Sequence, residues 1–480
     1  MPIVPMIVGS SLVEDVDETL TLVNPATGVT TAVTAAAGPR HVEQAVRAAA
    51  AAAEAPGWAR MTPNARARLL YRIADAMEAR VPELARRQMI ENGKPLRECL
   101  AQARSAVGVF RYYAAVCETQ RSAMIPGRGD YFSCATYEPY GVVATITPWN
   151  SPLTMEAQKI APALAAGNAV IAKPSEVTPG VALEIARVAL DAGLPPGVLN
   201  VLPGTGAVGA SLVEHPGVRM VSFTGGTATG RAIGVAAAAA HKPAALELGG
   251  KSPHIVFDDA DLPAAVAAVA GGVFEGSGQS CVAGSRLFVQ RGVYQEVVER
   301  LYERASAIVV GPPDADGVEM GPLATFAHRD RVAATVRAAV KDGAPAIAGG
   351  RVPENAELAD GAFYEPTILG PVDNTLPICQ EEIFGPVLCA IPFDGESEMI
   401  AAANDSRYGL AAGIWTADFA RAWRVARAVQ AGTVWINTYK ELSIAVPFGG
   451  FKESGRGREK GVEGMRLYQE TKSVYIGTGS

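Results

Sequence analysis

The sequence predicts an α/β protein with two parallel-sheet domains, and three observations indicate this. The length of 480 residues, with 49% hydrophobic and 19% charged, suits a soluble globular enzyme of two or three domains. Strand-like and helix-like segments alternate strictly over residues 141–250. A second α/β series follows over about 252–450. Because such alternation builds right-handed βαβ units, each series predicts a parallel sheet covered by helices.

The elements before residue 141 differ in kind. Residues 40–120 predict helices, because their apolar residues recur three or four positions apart. Residues 122–141 alternate polar and apolar types around Gly-Arg-Gly, which predicts a β-hairpin. The tail segment KSVYIG predicts one further strand without a local partner. We therefore expect the hairpin and the tail to pair across subunits.

The two α/β series supply the remaining strands. The first predicts strands at GVVATITPW, NAVIAKPS, GVLNVLPG, VRMVSFTGG and KPAALELGG, with helices between them. The second predicts strands at HIVFD, SRLFVQ, AIAGG, YEPTILG, VLCAIPF, AGIWT and GTVWIN.

Composition and charge exclude several classes of partner. The net charge is −7 without a dense Lys/Arg run, which disfavours nucleic acid and anionic membranes. The N-terminus has no secretory-signal pattern, and no apolar stretch reaches the roughly 20 residues of a spanning helix. The six cysteines lack CxxC spacing, which predicts no metal site and no disulfide framework. A reducing compartment, the cytoplasm, is expected.

Three glycine-containing or charged loops are candidates for cofactor binding. GTGAVG (204–209) matches GxGxxG, but no convincing acidic residue ends a strand about 20 residues later. A turn and helix cap is the favoured interpretation, with a phosphate loop as the alternative. Gly225 and Gly226 open another helix, whose free N–H groups suit a pyrophosphate. In IAKPSE, Lys173 and Glu176 follow a strand and are candidates for ribose hydroxyls, with solvated surface as the alternative.

Cys281 lies among glycines and serines in FEGSGQSCVAGSR (274–286). A structural cysteine normally packs among large apolar residues, whereas a reactive one needs a polar, partly open setting. Taken alone, this cysteine is compatible with an idle role. Its setting nevertheless makes it a candidate nucleophile.

Five motifs together produce a family resemblance. They are TPWNSPL with Asn150, LELGGKSP with Glu247, GQSCVAGSR with Cys281, QEEIFGPV with Glu381 and Glu382, and PFGGFKESGRG (447–457). In this order and at these intervals, the sequence resembles the hydrolytic, NAD(P)-dependent aldehyde dehydrogenase superfamily over nearly its whole length.

The resemblance implies a fold of three parts. A nucleotide-binding domain would comprise residues 1–120 and 140–249, and a catalytic domain residues 250–450. An oligomerisation part would comprise residues 121–139 and 451–480, which implies a homodimer or homotetramer.

The resemblance also implies NAD as cofactor, with NADP less favoured because Glu176 would repel a 2′-phosphate. The pyrophosphate would meet the helix opened by Gly225 and Gly226, not GTGAVG. The family usually has serine at the position of Gly226, so this chain lacks one hydroxyl there. The implied cofactor-binding residues are Trp149, Lys173, Glu176, Gly225, Gly226, Glu382 and Phe384.

The implied chemistry begins at Cys281. Its thiolate would add to the aldehyde and form a thiohemiacetal, with the oxyanion held by the Asn150 amide and the Cys281 N–H. Hydride transfer to the nicotinamide would leave a thioester, which water cleaves with Glu247 as general base. Lys159 would support proton traffic near that base.

Three alternatives remain at this stage. An acylating enzyme would pass the thioester to coenzyme A, but such relatives commonly lack the glutamate at position 247. A cysteine hydrolase would need a histidine partner, and none of the five histidines lies in a motif connected to Cys281. A non-catalytic protein would be expected to lose Cys281 or Asn150, and both are present.

The resemblance implies a substrate pocket but not a specific aldehyde. Ser151 and Gln158 stand where many relatives have aromatic residues, and Glu275 adds a carboxylate. A quaternary ammonium group needs several aromatic faces, so betaine aldehyde is disfavoured. A moderately polar aldehyde, aliphatic or aromatic, is expected. The implied pocket residues are Ser151, Met155, Gln158, Glu275, Ser280, Val282, Leu442 and Phe448.

Overall fold

The computed structural model of the chain describes residues 1–479, and two large sheets form its centre. In chain order the strands are β1 (Ile3–Val4), β2 (Met6–Val8), β3 (Ser11–Val13), β4 (Glu18–Val23), β5 (Thr30–Ala36), β6 (Ala123–Ile125), β7 (Tyr131–Pro139), β8 (Val142–Ile146), β9 (Ala169–Lys173), β10 (Leu199–Val201), β11 (Met220–Thr224), β12 (Ala244–Glu247), β13 (Pro253–Val256), β14 (Arg286–Gln290), β15 (Ala346–Ala348), β16 (Thr367–Leu369), β17 (Val387–Phe393), β18 (Tyr408–Gly409), β19 (Ala411–Trp415), β20 (Thr433–Ile436), β21 (Phe451–Lys452), β22 (Gly455–Arg456) and β23 (Gln469–Gly477).

Helices cover these sheets, and single 3₁₀ turns occur at Glu275–Gly278 and Ala356–Leu358. In chain order the α-helices are α1 (Pro39–Glu54), α2 (Pro56–Ala59), α3 (Pro63–Ala79), α4 (Val81–Asn92), α5 (Leu96–Thr119), α6 (Pro152–Ala166), α7 (Pro179–Asp191), α8 (Gly206–Glu214), α9 (Thr227–Ala239), α10 (Leu262–Phe274), α11 (Arg291–Ser306), α12 (Phe326–Lys341), α13 (Pro377–Gln380), α14 (Glu396–Asn404), α15 (Phe419–Ala428) and α16 (Gly461–Arg466).

The first large sheet has eight strands in the order β22-β12-β11-β8-β9-β10-β2-β3. Its five central strands, β12 to β10, are parallel, as the alternation over 141–250 predicts. One face packs against α3 to α7 and the other against α1, α8 and α9. Because both faces are buried, these strands consist mainly of apolar residues and show no regular polar alternation.

The N-terminal strands are a feature that the sequence analysis missed. β2 and β3 extend the eight-stranded sheet, and β1 pairs with β5 in a separate three-stranded sheet. β1, β2 and β3 contain only two or three residues each. Such short strands are too brief to display a two-residue period.

The second large sheet has seven strands in the order β15-β16-β17-β14-β13-β19-β20, each predicted from the sequence. Six of them run parallel, and β15 pairs antiparallel at one edge. The whole sheet lies within residues 250–450, the segment expected to form the catalytic domain.

The hairpin and tail form a third sheet, in the order β23-β7-β6. β23 pairs antiparallel with β7 of the same chain over nine residues, from Gln469 opposite Pro139 to Gly477 opposite Tyr131. The tail strand therefore has its partner in the hairpin of the same chain, whereas the sequence analysis expected the hairpin and the tail to pair across subunits. Of the predicted oligomerisation segment 451–480, the structure describes residues up to 479, and in that part only β23 joins the hairpin. β22 pairs with β12 in the eight-stranded sheet, and β21 pairs with β18.

Among residues 1–479, no helix has the length and apolar character needed to cross a membrane.

Candidate active site

One open cavity of about 1270 Å³ is lined by residues from both halves of the chain. Strand register explains how distant residues reach it. Ile146 at the end of β8 lies opposite both Lys173 of β9 and Phe223 of β11, and Thr224 lies opposite Glu247 of β12. The carboxyl ends of four parallel strands therefore lie side by side, which is where open α/β sheets bind ligands.

Every predicted site residue except Glu247 and Lys159 lines this cavity. We call the part formed by Trp149, Lys173, Glu176, Gly225, Gly226, Glu382 and Phe384 the cofactor half. We call the part formed by Ser151, Met155, Gln158, Glu275, Ser280, Val282, Leu442 and Phe448 the substrate half. Asn150 and Cys281 line the cavity as well.

Cys281 is held by a tight turn between α10 and β14. Ser277 has φ of 58°, and the neighbouring Gly276 and Gly278 also have positive φ. A side chain at Gly278 would come 2.1 Å from the Gly385 carbonyl, so only glycine fits there. Of the six cysteines, four are buried, and Cys281 is the one that lines the cavity.

Asn150 is oriented toward the same turn. Its Nδ2 donates to the Gln279 carbonyl over 2.9 Å, two residues before Cys281. The Asn92 amide donates to the Trp149 and Asn150 carbonyls over 3.1 and 3.4 Å, which fixes this backbone at the start of α6. Because an amide nitrogen has two hydrogens, Asn150 retains one for a ligand.

The thiol of Cys281 is protonated at neutral pH in this structure. Withdrawal from water raises its pKa to about 12, and the carboxyl groups of Glu247 and Glu382 act in the same direction. Lys460 opposes them by favouring the thiolate. Attack by this sulfur therefore requires removal of its proton.

Glu247 lies at the end of β12 and is only 6% exposed. Burial, and then the negative charge of Glu459, raise its pKa well above the usual carboxyl value. A side chain at Gly449 would come 2.9 Å from its Oε1, and one at Gly250 would come 2.3 Å from the Cys281 carbonyl. Close packing on glycines thus brings the β12 end against the cysteine turn.

Lys159 lies in a buried polar network behind the cavity. Its Nζ donates to Ser222 Oγ over 3.0 Å and forms a buried ion pair with Glu459. Tyr468 donates to the same Ser222 oxygen over 3.0 Å. Glu459 connects this network electrostatically to Glu247, and the sequence analysis missed it.

The N-terminus of α9 lies in the cofactor half. The first N–H groups of an α-helix have no intrahelical partner. Gly226 at the cap of α9 offers them no side-chain acceptor, so they are available to a ligand. The Thr224 and Thr227 hydroxyls nearby are buried without a hydrogen-bond partner among the described residues. This combination of free donors and a positive helix end suits a pyrophosphate.

Lys173 and Glu176 lie together at the end of β9. Lys173 Nζ is 3.5 Å from Glu176 Oε2, and the glutamate side chain is 52% exposed. Burial lowers the Lys173 pKa, and Glu176 partly compensates. The carboxylate is accessible from the cavity, as hydrogen bonding to ribose hydroxyls requires.

Glu382, Trp149 and Phe384 complete the cofactor half. Glu382 Oε1 accepts from the Gly250 N–H over 2.9 Å, and burial raises its pKa to about 7. The Trp149 and Phe384 rings meet edge to face at 5.4 Å. Phe384 has φ of 59°, and its carbonyl is held by His328 Nε2 at 2.7 Å. A bulky residue in this strained conformation requires such support.

GTGAVG is the start of α8, after β10. Its glycines 206 and 209 lie on the cavity wall with Ala210 and Val213. Facing them are Ala232, Ile233 and Ala236 of α9. This cleft is apolar, so the loop belongs to the cofactor half without the character of a phosphate site.

The substrate half contains more charge than the sequence motifs indicated. Lys94 Nζ lies 3.4 Å from Ser151 Oγ, and Gln102 donates to the same oxygen over 3.2 Å. These contacts come from the start of α5 and the turn before it. The lining residues that sequence reasoning missed are Lys94, Glu98, Gln102, Lys440 and Lys460. They belong to no chemical motif, so only the tertiary arrangement identifies them.

Comparison with known proteins gives a consistent result. The family model described as the aldehyde dehydrogenase family matches residues 12–474. Betaine aldehyde dehydrogenase 1 from Rhizobium meliloti (strain 1021) is 44% identical over 457 residues, covering 95% of this chain and 93% of that protein. The structure of an aldehyde dehydrogenase from Bacillus cereus with NAD+ matches with a TM-score of 0.97 at 40% identity, covering 100% and 97% of the two chains. PnpE from Pseudomonas sp. WBC-3 matches with a TM-score of 0.97 at 38% identity, covering 100% and 98%.

Fold and cavity thus define an oxidoreductase that oxidises aldehydes to carboxylic acids. The chain belongs to the aldehyde dehydrogenase family. The predicted family, fold class and enzyme class are confirmed.

Proposed function

We propose that this protein is a hydrolytic, NAD-dependent aldehyde dehydrogenase in which Cys281 is the nucleophile. The observation that supports this assignment best is that Cys281 and Asn150 line one cavity wall, while the segment directly after Glu247 packs against the Cys281 carbonyl behind it. A nucleophile, an oxyanion donor and a base in one site suit acyl transfer.

In the first step, the Cys281 thiol passes its proton to water in the open cavity, and the resulting thiolate sulfur bonds to the aldehyde carbon. The carbonyl oxygen becomes an oxyanion, which accepts hydrogen bonds from the free Asn150 N–H and the Cys281 backbone N–H. Each such donor typically contributes about 10²–10³ in rate. Together they hold the tetrahedral carbon in the geometry from which its hydride can depart.

In the last step, Glu247 removes a proton from water, which then attacks the thioester carbonyl. The acid is released and the Cys281 thiol is restored. The raised pKa of Glu247 makes it a stronger base once ionised, although less of it is ionised at neutral pH. Lys159 and Glu459 behind it provide a buried path for that proton.

The cofactor half fits a nicotinamide dinucleotide. The free N–H groups of α9 would hold the pyrophosphate, the apolar cleft between α8 and α9 the adenine, and Glu176 the adenosine ribose. Bound there, NAD would supply the acceptor for the hydride that leaves the tetrahedral carbon. The relative from Bacillus cereus was solved with NAD+, which supports the same cofactor here.

A three-arm assay tests the reaction class. In two arms, purified protein is supplied with a neutral aldehyde such as propanal and NAD, without and with coenzyme A, and NADH and the carbon product are measured. In the third arm it is supplied with a p-nitrophenyl ester and no NAD, and ester cleavage is measured. The proposal expects NADH and free acid without coenzyme A. Turnover only with coenzyme A would indicate the acylating alternative. Ester cleavage without any NADH production from aldehydes would indicate a cysteine hydrolase.

Betaine aldehyde is the second candidate at the level of substrate, because curated relatives at 41–44% identity are named betaine aldehyde dehydrogenases. Against it stand Ser151 and Gln158, which provide no aromatic face. Phe448 is the one aromatic side chain in the substrate half as defined above. The ratio of kcat/KM for betaine aldehyde to kcat/KM for a neutral aldehyde distinguishes the two candidates.

A homo-oligomer in the cytoplasm, either dimer or tetramer, remains our proposal for assembly and location. Large apolar side chains are exposed on the β23-β7-β6 sheet, with Tyr475 at 68%, Met124 at 73% and Ile125 at 53%. Clustered exposure of this kind favours burial against another chain. Light scattering on the full chain, with Tyr475→Lys as the perturbing variant, would detect a change in assembly.

A further inference from the structure

Lys460 is a lysine in an unusual position on the cavity wall. It immediately precedes α16 and is only 6% exposed. Its backbone has φ of 59° and ψ of 178°, a region that is essentially restricted to glycine. The Glu459 and Phe448 backbones bond to each other over 2.7 and 2.8 Å on one side, and Gly461 N–H bonds to the Ile444 carbonyl over 2.7 Å on the other. These contacts impose the strained conformation.

The ammonium group of Lys460 is unpaired. Among residues 1–479 its Nζ has neither a hydrogen-bonded side chain nor an ion pair, and it lies 5.0 Å from the centre of the Phe448 ring. Burial of a cation without a counter-ion is costly. A strained backbone that keeps an unpaired cation inside a substrate pocket suggests a functional reason for its presence.

The other charges of the substrate half do not neutralise it. The carboxylates are Glu98 and Glu275. Glu98 Oε1 accepts from the Gly276 N–H over 3.3 Å, and Glu275 lies 3.9 Å from Lys440 Nζ. Lys94 adds a further cation beside Ser151. These two carboxylates thus have their own partners. Glu459 and Glu247, which do not line the cavity, act on Lys460 through their charge, but neither forms an ion pair with it.

We propose that Lys460 determines the charge selectivity of the substrate half, excluding aldehydes with a permanent positive charge beside the carbonyl and admitting neutral ones of the same shape. An aromatic ring attracts a quaternary ammonium through its face. Here the ammonium of Lys460 already lies over the face of the Phe448 ring. A second cation would therefore be repelled from the position where it would otherwise bind. This inference rests on the proposed function.

Two aldehydes of nearly identical shape test the inference. Betaine aldehyde has a trimethylammonium group where 3,3-dimethylbutanal has a neutral tert-butyl group. The measured quantity is the ratio of kcat/KM for the cation to kcat/KM for the neutral compound, because losses common to both substrates cancel. In the wild-type enzyme we expect a ratio of about 0.1 or less.

Substitutions at position 460 show whether Lys460, and not another feature of the cavity, causes the low ratio. Lys460→Met should raise the ratio about tenfold, and Lys460→Arg should keep it low because the charge remains. Lys460→Gly should raise it as well, and glycine relieves the backbone strain, so this variant safeguards against misfolding. Lys341→Met, at the exposed end of α12 outside the cavity, is the matched control and should leave the ratio unchanged.

A wild-type ratio near or above one overturns the inference, as does a low ratio that persists in both Lys460→Met and Lys460→Gly. In either case turnover of 3,3-dimethylbutanal leaves the proposed function intact. Absence of NADH with 3,3-dimethylbutanal, propanal and betaine aldehyde alike contradicts the proposed function, and the inference with it.

Discussion

The cofactor half and the substrate half of the cavity are built in different ways. The cofactor half uses the ends of adjacent parallel strands, so neighbouring strands bring Lys173 and Gly225 to it through regular register. The substrate half is assembled from segments without a shared sheet, from Lys94 before α5 to Lys460 before α16. A regular scaffold fixes the cofactor half, whereas packing of separate loops fixes the substrate half. The latter is therefore free to differ between relatives of the same fold.

The two halves also differ in charge. The cofactor half combines a free helix N-terminus with the carboxyl groups of Glu176 and Glu382, which suits phosphates and ribose hydroxyls together. The substrate half is lined by three lysines, of which Lys460 has no hydrogen-bond or ion-pair partner among residues 1–479. The following substitutions test this division, with the largest expected effect first.

Cys281→Ala should abolish activity, because it removes the sulfur that would bond to the substrate. Without that bond, neither the substrate half nor the cofactor half can contribute to the reaction. We expect kcat to fall by at least about 10³-fold while the protein stays folded. NADH production and circular dichroism are the measurements. Retention of more than a few per cent of wild-type turnover would exclude Cys281 as the nucleophile.

Glu247→Gln should separate the two chemical stages. Hydride transfer does not need the base, but thioester hydrolysis does. We expect a burst of about one NADH per active site, followed by steady turnover lowered about 10²-fold. Rapid-mixing absorbance checks this. Loss of the burst itself would assign Glu247 to thiol activation instead.

The pKa of Cys281 predicts how its reactivity depends on pH. Because the pKa is raised to about 12 and only the thiolate reacts, ionisation increases as pH rises toward that value. Alkylation of the cofactor-free enzyme by iodoacetamide should therefore accelerate about tenfold per pH unit between about pH 7 and pH 9. Mass spectrometry locates the label, with Cys281→Ala as control. A rate that is flat across this range contradicts the prediction.

Glu176→Ser should affect the cofactor half alone. Its carboxylate would repel a 2′-phosphate, although its partial exposure and Lys173 reduce the repulsion. We expect the wild type to favour NAD, and the variant to gain about tenfold in kcat/KM with NADP, mainly through KM. KM for the aldehyde should not change. Equal use of NADP by the wild type would show that Lys173 dominates this end of the site.

Gly226→Ser should give the smallest effect. A side chain at this position meets no atom within 4 Å, and serine is a preferred helix cap. The new hydroxyl would supply the phosphate contact that this chain lacks. We expect KM for NAD to fall about threefold, in line with one additional hydrogen bond. An increase in KM would mean that the hydroxyl competes with the phosphate.

The comparison also shows what local sequence could not predict. The hairpin and tail were each recognised as strands, but their pairing within one chain was not, since it joins residues more than 300 positions apart. GTGAVG matched a phosphate motif, yet α8 presents an apolar wall to the cavity. The motif specifies a turn conformation. Which ligand the turn can contact depends on the position in the sheet of the strand that precedes it.

The sequence by itself determined the class of reaction and the parallel sheets, and it predicted the nucleophile. Cys281, Asn150 and Glu247 lie in motifs of small residues and glycines, and buried parallel strands show as apolar runs between helices. Both patterns lie in short contiguous segments, so they can be recognised in the sequence without knowledge of the tertiary structure. Only the tertiary structure decided the charge of the substrate half. Nothing in the sequence distinguishes Lys94, Lys440 and Lys460 from other lysines. Their effect on a substrate depends on the carboxylates and aromatic rings that lie near them in the folded chain.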